Sequence, residues 1–237
     1  YDNPAYRLYL AAKDANDFGR LLSGQRGKLY EKVELTLLTD KTAEKPAIEQ
    51  AFASLKKQVK SEDTTFVFLA GHGVNDLQQG YFFMPKEADI QRLNTTGVSF
   101  REIRRTLAEL PGRNLLFVDT CHAGNVIGGI TAGLSLNNSA AINELASPEN
   151  NIIVFASSSG DQEAIEKDEW GNGAFTKALL EGMRGQADFM KRGRISYKQL
   201  DAYVADRVNE LTEGQQTPVT PVLVTVPDFP LVEVMRN

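Results

Sequence analysis

Five short apolar runs of strand length punctuate the chain, at 33–38, 66–70, 115–118, 152–156 and 222–226. Between them, apolar residues recur at helical spacing. Ala47, Ile48, Ala51, Phe52, Leu55 and Val59 define one helical face, with Asp40 and Thr42 as candidate caps. Phe100, Ile103, Leu107 and Leu110 define another, capped by Ser99 and stopped by Pro111-Gly112. Two more helices follow the fourth run: one carries Ala174, Phe175, Ala178, Leu179 and Met183, the other Tyr197, Leu200, Tyr203, Val204, Val208 and Leu211. Alternating strands and helices predict an α/β fold. Near-continuous apolar strands predict a mostly parallel sheet flanked by helices and buried on both faces. Pro218, Pro221 and Pro227 assign the last run to an edge. The stretch 124–151 reads as a long loop, rich in Gly, Ser, Asn and Ala, with one helical turn around 140–145.

The chain's 237 residues fit a single domain spanning 1–237. A net charge of -5 argues against a nucleic-acid surface, which would carry a basic stripe. No apolar run reaches the roughly 20 residues that span a bilayer, so no membrane partner is expected. One cysteine excludes an internal disulfide framework and suits a reducing, cytoplasmic setting. The abrupt start at Tyr1, without an initiator Met, suggests a trimmed chain.

The chemistry is concentrated in two places. Cys121, His72 and His122 are the chain's only cysteine and histidines, and they lie at the ends of the second and third apolar runs. Each run reads as a buried strand stopping at a small-residue turn. Ligands of open parallel sheets bind beyond the carboxyl ends of the strands. A thiolate needs a base, and imidazole is suited to that work near neutrality. A lone cysteine is more often a small buried hydrophobe, and a lone histidine more often structural. Their joint placement favours a Cys121–His72 dyad, with His122 as a pocket wall. Gly73 allows close backbone approach to a ligand. Its N–H and that of Cys121 are candidates for an oxyanion hole. One cysteine and two histidines without clustered carboxylates make no recognisable metal set, and no cofactor is expected.

These motifs resemble the caspase-like cysteine peptidases, whose nucleophile motif has its histidine about 50 residues upstream. Asp119-Thr120-Cys121-His122-Ala123-Gly124 is closest to metacaspases and to the prokaryotic homologues called orthocaspases. Leu10-Ala11-Ala12-Lys13-Asp14-Ala15 resembles the family's first-helix motif, and Ala70-Gly71-His72-Gly73 its histidine motif. Ala156-Ser157-Ser158-Ser159-Gly160-Asp161-Gln162-Glu163-Ala164 and Gly173-Ala174-Phe175-Thr176 resemble later segments in the same order. The likeness covers most of the chain and implies a caspase-like fold. The family's first strand, which should precede the Asp14 helix, is absent, so the sheet would need it from a removed segment or another chain.

The resemblance implies peptide-bond hydrolysis after Arg or Lys. Asp119 stands where caspases proper carry a residue serving Asp recognition, and its carboxylate would attract a basic P1 side chain. Asp161 and Asp14 are implied to line the same pocket. Calcium-dependent metacaspases carry an acid-rich segment after the histidine, whereas 74–93 holds only Asp76, Glu87 and Asp89. The expected partners are a protein or peptide substrate and an additional regulatory domain or chain. No Lys or Arg occurs from Asn114 to Glu166, so an enzyme of this specificity could not cut itself there; Lys191-Arg192-Gly193-Arg194 is the nearest candidate loop. The competing reading is a non-catalytic caspase-fold interaction module, disfavoured by the intact dyad. A third keeps the dyad but applies it to small molecules.

Overall fold

Three of the apolar runs form the parallel heart of one sheet. A computed structural model describes residues 1–122, 134–135, 139–147, 151–158, 162, 164–221 and 226–234, with the backbone alone at 121, 122, 134 and 135. In chain order the elements are α1 (Ala11–Ser23), α2 (Lys45–Gln58), β1 (Thr64–Asp76), β2 (Gly80–Phe83), α3 (Leu93–Thr96), β3 (Val98–Ser99) and α4 (Phe100–Glu109). Then come β4 (Arg113–His122), β5 (Leu134–Ser135), α5 (Ser139–Leu145), β6 (Ile152–Ala156), β7 (Glu166–Lys167) and β8 (Asn172–Gly173). The described elements end with α6 (Ala174–Glu181), β9 (Arg194–Ser196), α7 (Tyr197–Leu211) and β10 (Pro230–Glu233).

The main sheet runs β3-β2-β1-β4-β6, with β5 added to the tip of β1. β4 pairs in parallel with β1 on one side and β6 on the other, while β2, β3 and β5 pair antiparallel. The two-residue period of a strand sorts the β4 side chains between two cores. Leu115 and Phe117 face Phe18 of α1, Phe175 and Leu179 of α6 and Leu200 of α7. Leu116 and Val118 face Ile48 of α2, Ile103 and Leu107 of α4 and Ile142 of α5. Aromatic rings stack through the first core: Phe18 on Phe68 at 4.7 Å and Phe117 on Phe155 at 4.8 Å. Helices on both faces explain why these strands read as unbroken apolar runs.

Several expectations change. Residues 33–38 form no strand. Leu35 lies against Gly19 of α1, where an added Cβ would meet its Cδ2 at 3.2 Å, and Leu35 and Leu37 stay 51% and 38% exposed. An apolar run becomes a strand only beside a free ladder, and this one packs on a helix. Among the described residues no strand precedes α1, and none pairs with 64–71 on the side opposite β4. Asp40 and Thr42 do not cap α2; they form a separate 3-10 turn closed by Thr39 and Thr42, and α2 starts at Lys45 with Pro46 in its first turn. Ser99 does cap α4, accepting from Arg101 N–H at 3.2 Å. The helical turn around 140–145 is α5. Positions 222–225 of the fifth run lie outside the described residues, but Val219 exchanges two 2.9 Å backbone bonds with Ala156 at the sheet edge. β10 instead pairs with β9 in a small separate sheet.

The loop at Lys191–Arg194 is closed on Asp188, whose carboxylate accepts from Arg192 N–H at 2.9 Å and Gly193 N–H at 2.7 Å. Arg194 already belongs to β9. Self-cleavage there would first have to open this turn.

Candidate active site

β1 and β4 run in parallel register from Thr64↔Arg113 to Gly73↔His122, which sets His72 directly opposite Cys121. Adjacent strands lie about 4.8 Å apart. Contrary to expectation, β1 does not stop at His72; it continues to Asp76 because its last residues pair with β2. The parallel ladder ends there, so the pair still sits at its carboxyl end. The side chains of Cys121 and His122 lie outside the described residues.

His72 is buried and held from the N-terminal segment. Its Nε2 lies 3.0 Å from the carbonyl of Tyr6, which can only accept, so Nε2 carries a proton and, in the neutral imidazole, Nδ1 holds the lone pair. Its backbone N–H donates to the Tyr1 hydroxyl at 2.7 Å, and the Tyr1 and Tyr6 rings flank the imidazole at 5.1 and 6.2 Å. Gly73 has a packing reason for lacking a side chain. A Cβ there would fall 1.9 Å from the Tyr81 hydroxyl, which is hydrogen-bonded to Thr120 at 3.1 Å.

Beside this pair lies a small pocket lined by Asp14, Asp119, Glu166, Gly71 and Gly173 among others. Asp119 precedes Cys121 by one strand period. It is buried and accepts from Thr176 Oγ1 at 2.7 Å. Burial pushes its carboxyl up to about 6 against the hydrogen bonds from Thr176 and Ser157. Asp14 sits one turn before Phe18 on the sheet-facing side of α1 and accepts from Asn172 Nδ2 at 2.7 Å and Gly173 N–H at 3.2 Å. Burial, then the charge of Asp119, raises it to about 8. The structure thus brings Asp14 and Asp119 together, while Asp161 lies outside the described residues.

Glu166 lines the same pocket and was not singled out from the sequence. It pairs with Gly173 across the β7–β8 ladder, and its carboxyl is raised to about 7, by burial first and Asp119 second. Gln216 holds its strand in place, accepting from Ile165 N–H at 2.8 Å and donating to the Ser157 carbonyl at 2.7 Å. An acid beside Lys167 and Asp168 has the pattern of a solvated turn. The Tyr6 carbonyl was equally illegible, because a backbone acceptor carries no side-chain signature.

This arrangement offers an oriented imidazole opposite a thiol position and an acidic pocket beside them, with no ion pair to the three acids among the described residues. A caspase domain model matches residues 1–224. No curated protein matches the chain. The crystal structure of a protein from Geobacter sulfurreducens superposes with a TM-score of 0.62 at 18% identity, covering 97% of this chain and 91% of that one. At that identity the likeness concerns the fold. Matched over nearly its whole length, the chain belongs to the caspase-domain family of cysteine peptidases.

Proposed function

We propose that this domain is an endopeptidase that cleaves proteins after Arg or Lys through Cys121 and His72. The observation that carries the proposal is the His72↔Cys121 register beside a pocket walled by Asp14, Asp119 and Glu166. His72 Nδ1 takes the thiol proton, and the thiolate adds to the scissile carbonyl to give a tetrahedral oxyanion. The N–H groups of Gly73 and Cys121 are the donors assigned to that oxyanion. The imidazolium returns the proton to the departing amine as the C–N bond breaks. Water activated by the same nitrogen then hydrolyses the thioester. The Tyr6 carbonyl keeps the imidazole in the required tautomer throughout.

A panel of fluorogenic peptides differing only at P1 tests the proposal. Cleavage of Arg and Lys members, with Asp and Ala members left intact, is the expected result. Preference for Asp, or no cleavage of any member, would overturn it.

Calcium should have little effect. Asp76 accepts from Gln78 and Gln79, Glu87 accepts from Lys45 N–H at 2.8 Å through Oε1 while its Oε2 is buried without a hydrogen-bond partner among the described residues, and Asp89 accepts from Gln91 N–H and Arg92 Nε. These are the acids of the segment after the histidine, and each already accepts from the protein. Chelator-treated enzyme is expected to match enzyme in millimolar calcium. Strict dependence on added calcium would require a site built from other acids.

A further inference from the structure

Three carboxyl groups from three different elements enter one pocket, and the cation that would balance them belongs to the proposed substrate. From this we infer that Glu166 is a specificity-determining residue and that binding of a basic P1 side chain is proton-linked, the pocket shedding protons as the cation enters. The inference rests on the basic-specificity reading above and extends it.

The surroundings support it element by element. On α1, Asp14 has Asp17 one turn further on, but Asp17 is neutralised by Lys13 at 2.5 Å and shares Asn172. β4 contributes Asp119, and α6 contributes the Thr176 hydroxyl. Next to Glu166 on β7, Lys167 points to the Trp170 ring at 4.7 Å. β8 contributes Asn172 and the Gly173 N–H as donors. From β1 come Ala70 and Gly71, followed by His72, whose ring is held between Tyr1 and Tyr6. Apart from His72, no cationic or potentially cationic side chain is placed against the three acids among these residues.

Like charges in a partly dry pocket favour retained protons. The three groups are raised to about 8, 7 and 6 for Asp14, Glu166 and Asp119, so near neutrality the empty pocket is partly protonated. A guanidinium or ammonium favours the ionised acids. Linkage then requires proton release on binding, and affinity that tightens from pH 6 to pH 8 by up to about tenfold per pH unit for each proton released. Glu166 is the partner with the fewest structural duties. Among the described residues its carboxyl group keeps no hydrogen bond, whereas Asp14 and Asp119 each hold donors of β8 or α6.

The test is calorimetric titration of the full Cys121→Ala chain with a P1 Arg peptide at pH 7, in buffers of low and high ionisation enthalpy. Working with the inactive chain separates the pocket from the role of His72 in turnover. Roughly one proton released per peptide is expected, with a smaller release when Glu166→Gln is added. A P1 citrulline peptide, isosteric but neutral, should bind more weakly and release none. Buffer-independent heats with binding intact would overturn the proton linkage while leaving the basic specificity standing. Unchanged release and affinity in Glu166→Gln would remove Glu166 from the pocket's specificity. Failure of the Arg peptide to bind, with an Asp peptide binding instead, would overturn both readings.

The same geometry predicts a stability signature. A carboxyl raised from 4.5 to about 7 on folding stabilises the fold at low pH, relative to high pH, and loses that contribution as pH rises from 4.5 through 7. Glu166→Gln removes the loss. Its melting temperature should therefore gain on the parent protein's between pH 5 and pH 8. A constant difference across that range would contradict the assignment.

Discussion

Cys121→Ala should lower peptidase turnover by roughly 10⁵- to 10⁶-fold, the scale on which hydrolases lose activity when nucleophile or base is removed. The substitution deletes one sulfur atom at the end of a strand whose preceding residues are buried, so unfolding should remain cooperative with a similar melting temperature. His72→Ala should lose activity to a comparable extent, because the thiol would have neither a base nor a proton donor for the leaving amine. The two losses should not add in the double variant, since nucleophile and base act as a unit. His122→Ala should keep a substantial part of the activity. His122 belongs to the ladder pair with Gly73, one position beyond the His72↔Cys121 pair. Wild-type turnover in Cys121→Ala, or an essential His122 with a dispensable His72, would dismantle the mechanism. His72→Ala also empties the space between Tyr1 and Tyr6, so its melting temperature must be measured beside its rate. Folded but inactive protein is the expected outcome.

The strands legible in the sequence were those packed between helices on both faces of the sheet. The runs at 66–70, 115–118 and 152–156 became β1, β4 and β6 because packing between two helical layers leaves no place for a polar residue. The run at 33–38 was equally apolar and formed no strand, since apolarity cannot report whether a free ladder lies alongside. β2, β3, β9 and β10 were missed for a related reason. They are short, and each is defined by a partner rather than by its own period. Of the pocket, Asp14 and Asp119 were legible through neighbouring motif residues. Glu166 was hidden by its charged neighbours, and only the Gly173 pairing and the Gln216 tether turn it inward. Gly73 illustrates a different limit. The sequence reading attached it to ligand approach, whereas the structure supplies the Tyr81 ring as a sufficient reason for its missing side chain.

Selectivity at P1 should collapse when Asp119 loses its charge. Asp119→Asn preserves shape: its amide oxygen can keep accepting from the Thr176 backbone N–H, and a Thr176 or Ser157 hydroxyl facing the new NH2 can reverse to accept, so the fold should survive. What disappears is a charge-assisted contact, commonly worth about 1.5–3 kcal/mol. At about 1.4 kcal/mol per decade, kcat/KM for a P1 Arg peptide should fall by roughly 10- to 100-fold. Any hydrolysis of a neutral P1 peptide should be unchanged or faster, because a desolvated anion no longer faces it. Gly173→Ala supplies the steric counterpart. Its backbone, at φ -59° and ψ 151°, accepts alanine, but the new Cβ would stand 3.3 Å from Asp14 Oδ2 and 3.5 Å from Asp119 Oδ2. That variant keeps all three acids and narrows the space between them, so Arg cleavage should drop through KM more than through kcat. The two variants separate charge from room. Loss of Arg preference in Asp119→Asn with retained preference in Gly173→Ala is the expected pattern, read from kcat/KM ratios for Arg and neutral peptides. An Arg-to-neutral ratio unchanged in Asp119→Asn would place the P1 site elsewhere on the domain, even if Cys121 and His72 still cleave.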